Sequence, residues 1–166
     1  MKKKMKKILL ILAVFGLILG FSGLAMAADN VNQTVTFSVS AINEISVSGN
    51  PAPMAVSTAT AGSQPNVATE TTTTYAITTN GTGKKITGAL SADMPSNVTL
   101  KVNLTAPTGG TSQGDVILEL TGGAKNLVTG ITQKAESSLG ITYKLSATVL
   151  AVVVALDTRT VTLTVA

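Results

Sequence analysis

The chain contains no cysteine, no histidine and no tryptophan. Each absence removes a class of chemistry. Without cysteine there is no disulfide, no thiolate nucleophile and no soft metal ligand. Without histidine the commonest general base near neutral pH and the usual imidazole metal ligand are gone too. Aromatic residues make up only 3% of the chain, and beyond residue 27 they are Phe37, Tyr75 and Tyr143 alone. That leaves little to stack on a nucleic-acid base or on the flat face of a sugar. Long stretches of Ala, Leu, Glu and Lys are also missing, which counts against a helical fold.

What is present begins with an N-terminal leader pattern. Met1–Lys7 carries five lysines, Ile8–Phe21 is an apolar run, and Ala25-Met26-Ala27 ends the segment. A basic region, a short apolar region and small residues at the −3 and −1 positions predict a signal peptide over residues 1–27, cut before Ala28. The apolar run falls short of the roughly 20 residues that span a bilayer. A type IV prepilin leader processed at Gly16 or Gly20 would leave too short an apolar segment for a pilin helix. Five of the twelve basic residues depart with the leader, so the net charge of +4 becomes about −1. The expectation is an exported protein at the cell surface or in the periplasm, with residues 28–166 forming one domain. No membrane attachment is expected after cleavage: there is no lipobox cysteine, and no apolar tail follows Val161–Ala166.

The remainder is rich in Thr, Val, Ser, Asn and Gly, a mixture of strand and turn formers. Alternation with period two recurs along it. Val31, Val35, Phe37, Val39 and Ala41 share one face, and Ile45 and Val47 continue the same parity past a corner at Ile42-Asn43-Glu44. Gly49–Pro53 breaks that strand, and Met54–Val56 suggests a short edge piece. Thr69, Thr71, Thr73, Tyr75 and Ile77 line one face of the next strand, which ends in the turn Asn80-Gly81-Thr82-Gly83. Ile86 and Leu90 point inward from its partner. Val98, Leu100, Val102 and Leu104 alternate cleanly, followed by Val116, Leu118 and Leu120, a shorter segment around Leu127–Ile131, the long series Leu139, Ile141, Tyr143, Leu145, Ala147 and Val149, and finally Val161, Leu163 and Val165. Eight or nine short strands separated by Gly, Pro and Asn turns predict an all-β, Ig-like sandwich of two antiparallel sheets.

Few residues offer chemistry. The acids beyond the leader are Asp29, Glu44, Glu70, Asp93, Asp115, Glu119, Glu136 and Asp157, scattered without a pattern. A glycosidase could still assemble two of them in space, but their dispersal reads as solvated surface charge. No Asp-rich calcium loop occurs. Lys84-Lys85 at a strand start reads as a solubilising pair that discourages edge pairing. We therefore expect no enzyme activity, no cofactor, no metal and no nucleic-acid partner.

Two segments stand out for association. Val31, Val35, Phe37, Val39, Ile45 and Val47 form a candidate assembly strand directly after the leader. It is able to pair at home or to complete a neighbour's sheet. Val149, Leu150, Val152, Val153, Val154 and Leu156 belong to a run that is apolar on both faces and free of charge, Pro and Gly. It is either a central buried strand or a surface that another chain covers. Leader, Thr-rich sandwich and alternating N-terminal strand together resemble secreted subunits of surface fibres assembled by donor-strand complementation. The chain departs from chaperone–usher pilins in having no disulfide pair and no penultimate tyrosine in Arg159–Ala166. The resemblance implies a non-enzymatic structural subunit whose partners are copies of itself. The alternative is an adhesin or carbohydrate-binding module meeting other surface proteins or glycans. In that comparison Tyr75, Tyr143 and Phe37 all fall in register with inward apolar residues, so each is expected in the core.

Overall fold

The computed structural model describes residues 30–166; the leader and its cleavage point before Ala28 lie outside them. The chain divides into two units, residues 1–38 and 39–166. All regular structure among the described residues lies in the second unit and is extended. Its strands are β1 (Asn43–Val47), β2 (Ala68–Glu70), β3 (Thr74–Thr79), β4 (Lys84–Leu90), β5 (Val98–Leu104), β6 (Thr111–Ser112), β7 (Val116–Ile117), β8 (Lys125–Ile131), β9 (Lys134–Ala147) and β10 (Val161–Val165).

They form two antiparallel sheets, one in the order β1-β3-β9-β5-β7 with β2 on β9, the other in the order β10-β4-β8-β6. The fold is therefore the expected all-β sandwich. The 14-residue strand β9 organises the first sheet. Its first half pairs with β3 and its second half lies between β2 and β5. Alternation explains why β5 takes this place: Leu100, Val102 and Leu104 are buried, while Lys101 and Asn103 face outward between them. Opposite them, Ile86 and Leu90 of β4 and Leu127, Val128 and Ile131 of β8 complete the core. Gly88 sits between the two β4 residues because a Cβ there would come within 2.7 Å of a Leu127 methyl. Tyr75 and Tyr143 are buried as expected.

Several expectations need correction. The N-terminal strand does not run from Val31: only Asn43–Val47 pairs, with β3, and no ladder among the described residues includes residues 30–42. Met54–Val56 is not a strand. The single strand expected over Thr69–Ile77 is split. Residues 71–73 interrupt it and shift its parity, so Glu70 is buried where Thr69 was expected to be. Leu118 is buried, but Leu120 is exposed just past the two-residue β7.

The run 149–156 is no central strand. β9 stops at Ala147, and residues 148–160 cross from the middle of one sheet to the edge of the other. Both inner faces are already filled by other strands, so this connection stays outside, with Val149, Leu150, Val152, Val153, Val154 and Leu156 all exposed. Phe37, expected to be buried, has 86% of its surface exposed.

Candidate assembly surface

The site is built around Asn80, which the turn between β3 and β4 places beside the start of β1. Its Oδ1 accepts a hydrogen bond from the Ile42 N–H at 2.9 Å. Its Nδ2 donates to the Ser40 carbonyl at 2.8 Å, and its own N–H donates to the Ile42 carbonyl at 3.3 Å. Beside it the Thr79 hydroxyl donates to Oδ1 of Asn43 at 2.8 Å. One residue thus grips Ile42 by both its hydrogen-bonding groups, the N–H through the side chain and the carbonyl through the backbone, and holds the carbonyl of Ser40 as well. It prolongs the β1–β3 pairing beyond Asn43 and holds Ser40–Ile42 in line with β1. In sequence, Asn80 reads as an ordinary turn residue. Its second role could not be seen without knowing that β1 pairs with β3, some 38 residues away.

Residues 30–38, described by themselves, have no regular structure and every one is exposed. The candidate assembly strand is therefore divided. Val31, Val35, Phe37 and Val39 are exposed outside any ladder, whereas Ile45 and Val47 belong to β1. Ile45 packs against the core and Val47 stays half exposed.

The second apolar segment is fixed at its near end. The Val149 N–H donates to Gln64 Oε1 at 2.9 Å, Asn97 Nδ2 donates to the Leu150 carbonyl at 3.3 Å, and the Ala151 N–H closes a turn on the Thr148 carbonyl. Beyond that turn Val152, Val153 and Leu156 face solvent. At the far end Arg159 pairs with Asp157 at 2.8 Å and donates from Nε to the Asp93 carbonyl at 2.9 Å. The chain is thereby anchored just before β10.

Glu70, Asp93, Asp115, Glu136 and Asp157 have structural partners. Asp93 accepts from the Leu120 and Thr121 N–H groups and from the Thr121 hydroxyl. Glu136 accepts from the Thr108 N–H through both oxygens. Asp115 pairs with Lys144 at 2.7 Å and accepts from Asn103. Glu70, missed in the sequence because its segment changes parity, turns inward. Its Oε1 accepts from the N–H and hydroxyl of Thr72, while Oε2 has no hydrogen-bond partner. Among the described residues one open hollow is lined by Ala52–Ala55 and residues 68–72, and another by residues 93–99 and 117–119 with Thr121. The first contains one acid, Glu70; the second contains Glu119 and the hydrogen-bonded Asp93. No group of three or more metal-ligating side chains occurs among the described residues.

These bonds hold the carboxyls below their ordinary range. The Thr72 hydroxyl and N–H do so for Glu70, the Leu120 and Thr121 N–H groups for Asp93, Lys144 for Asp115, the Thr108 N–H for Glu136, and the Thr158 N–H followed by Arg159 for Asp157. Because their folded-state values are lowered, the unfolded chain binds more protons in acid. The stability they contribute is complete above the ordinary values of 3.8 for Asp and 4.5 for Glu, and fades as pH falls through the lowered ones. Thermal melts should therefore change little from these groups between pH 7 and about 5, then move to lower temperature as pH drops further. A melting temperature that holds or rises from pH 4 to pH 2 would contradict this reading.

Compared with family models, curated proteins and solved structures, the chain matches none.

Proposed function

We propose that this protein is an exported, non-enzymatic structural subunit that associates with copies of itself through the segment Val31–Ala41. The observation that carries the reading is the state of that segment. Interrupted only by Gln33, it has the apolar–polar alternation of a half-buried strand, yet Val31, Val35, Phe37 and Val39 are exposed and outside any ladder. Such a pattern has no use for a chain that stays in water: one face of the strand needs an apolar groove and its backbone needs a partner. Burying each large apolar side chain contributes about 1.5–3 kcal/mol, so several in one strand suffice for a lasting non-covalent contact. The exposed run at 149–156 favours the same reading, because a further apolar surface is left for a neighbour to cover. The buried positions of Tyr75 and Tyr143 remove two of the three aromatic rings from any sugar-stacking surface, which favours assembly over carbohydrate binding.

Deletion of residues 30–38 tests the proposal, since it leaves every hydrogen bond of Asn80 and the whole sandwich in place. The intact protein should form filaments or oligomers visible by electron microscopy and sedimentation. The deleted form should remain folded and monomeric. An intact protein that stays monomeric at high concentration and in extracts of the producing cell's surface would overturn it.

A further inference from the structure

Resting on that assembly reading, the structure points to a specific acceptor: we propose that Thr34–Val39 of one copy adds as an antiparallel strand to the free edge of β10 in the next copy. The edges of the two sheets differ in how they are protected. β6 and β7 are two residues each, too short to template another strand. Beside them the core is closed, for Leu118 is buried among β4 and β8 side chains. β1 carries the charged Glu44 next to its first residue, and its Asn43 side chain is already engaged by Thr79. β10 has no such guard. Its sequence, Val-Thr-Leu-Thr-Val, contains no charge, proline or glycine.

The pairing of β10 with β4 shows which backbone groups remain free. Ala166 and Lys85 exchange both of their hydrogen bonds, at 2.9 and 3.1 Å, and the Ser91 N–H donates to the Thr160 carbonyl at 2.9 Å. In an antiparallel ladder the direction of these groups alternates along the strand. The even-numbered residues of β10 therefore address β4, and the N–H and C=O groups of Val161, Leu163 and Val165 point to the open edge. β1 approaches β10 to within 8 Å between Cα atoms, but no ladder joins the two. Those same residues turn their side chains inward and are only partly buried, as is Ile45 of β1, whereas Ile86 and Leu90 one strand further in are fully covered. Among the described residues this edge lacks backbone partners and the apolar layer beneath it is only partly covered.

The occupant is named by its sequence. Thr34-Val35-Thr36-Phe37-Ser38-Val39 repeats the pattern of Thr160-Val161-Thr162-Leu163-Thr164-Val165 almost residue for residue. Paired antiparallel, Val35 meets Val165, Phe37 meets Leu163 and Val39 meets Val161. Three apolar pairs then lie on the inner face, with hydroxyl residues opposite hydroxyl residues on the outer face. Asn80 argues for a second copy over the chain's own tail. It holds Ser40–Ile42 straight in line with β1, where a tail returning to its own β10 needs a sharp reversal.

Because the chain has no cysteine, disulfide trapping reads the register directly. Thr36 and Thr164 form a pair without mutual hydrogen bonds, with Cα atoms about 4.5 Å apart, inside the range a disulfide bridges. Single-cysteine proteins carrying Thr36→Cys and Thr164→Cys, mixed and oxidised, should give covalent dimers of the two different chains. The double variant should give a covalent ladder. Thr36→Cys mixed with Ser46→Cys reports addition to β1, and Thr36→Cys mixed with Ala89→Cys reports a tail that displaces β10 from β4. Cross-linking in either of these mixtures in place of Thr36–Thr164 would overturn the acceptor while leaving assembly standing. An intrachain disulfide in the double variant, with none in the Thr36–Thr164 mixture, would overturn exchange between copies. Filaments by microscopy with none of the cross-links would also overturn the β10 acceptor. Absence of any association would end the underlying reading.

Discussion

Replacing Phe37 by Asp is expected to dissolve the assembly and leave the single subunit as stable as before. In one chain the ring is 86% exposed, and a substitution at so open a site changes folding stability by no more than about 0.5 kcal/mol. In the assembled form the same ring is the largest apolar group the segment offers. Its loss forfeits about 1.5–3 kcal/mol of burial. The incoming carboxylate adds a desolvation cost of its own, since a charge placed among Leu163 and its neighbours has no cation to meet it. Together these effects exceed about 3 kcal/mol, which weakens association by more than about 100-fold. Sedimentation at matched concentrations measures the first quantity and a thermal melt of the monomer the second. Unchanged association would show that Phe37 is not buried between copies. A large fall in the monomer's melting temperature would show that it belongs to its own core.

The contrast between Phe37 and Val102 shows where the sequence was readable and where it was not. Val98–Leu104 and Val31–Ala41 carry similar alternation, and both read as strands, the second able to pair at home or in a neighbour's sheet. The first has β9 on one side and β7 on the other. The second has no ladder at all. Alternation states that a segment wants one face buried; it does not state which chain provides the burial. The turn at residues 80–83, the inward set of β4, the parity of β9 from Leu139 to Ala147 and the inward face of β10 are all legible, because each depends on local periodicity and a turn; the hairpin expected at that turn does not form, since the turn carries the chain from one sheet to the other and β3 and β4 do not pair. Glu70 was not, since three residues between β2 and β3 reverse the parity and no local signal marks the reversal. The run at 149–156 was ambiguous for a related reason. A segment apolar on both faces suits a central strand, but its destination, the far edge of the other sheet, is a property of topology that periodicity does not encode.

The largest loss of subunit stability is expected at Tyr75. Its ring is buried, its backbone stands between Val47 of β1 and Leu139 of β9, and its hydroxyl donates to the Thr105 carbonyl at 2.5 Å. Thr105 in turn binds the Gly140 carbonyl through its N–H at 2.9 Å, so Tyr75, by its backbone and its hydroxyl, ties three strands and the connection after β5. Tyr75→Ala opens a cavity no neighbour can fill, at a cost of about 3–5 kcal/mol. Against a total stability of about 5–15 kcal/mol, that leaves a marginal fold. Tyr75→Phe keeps the ring and removes only the donor, so it should cost about 1–3 kcal/mol for the unsatisfied carbonyl. The phenol gives a second readout. Burial, helped by the negative charge of Glu136, pushes its pKa up from 10.0 to about 12. Above pH 10 the unfolded chain loses this proton first, so the stability the phenol contributes declines as pH rises from 10 toward 12. Denaturant titrations at pH 8 and pH 11 should therefore show a smaller alkaline loss for Tyr75→Phe than for the natural protein, whose remaining loss comes from Tyr143, also raised by burial. Equal alkaline losses in the two proteins would mean that the Tyr75 phenol ionises as freely in the fold as in the unfolded chain.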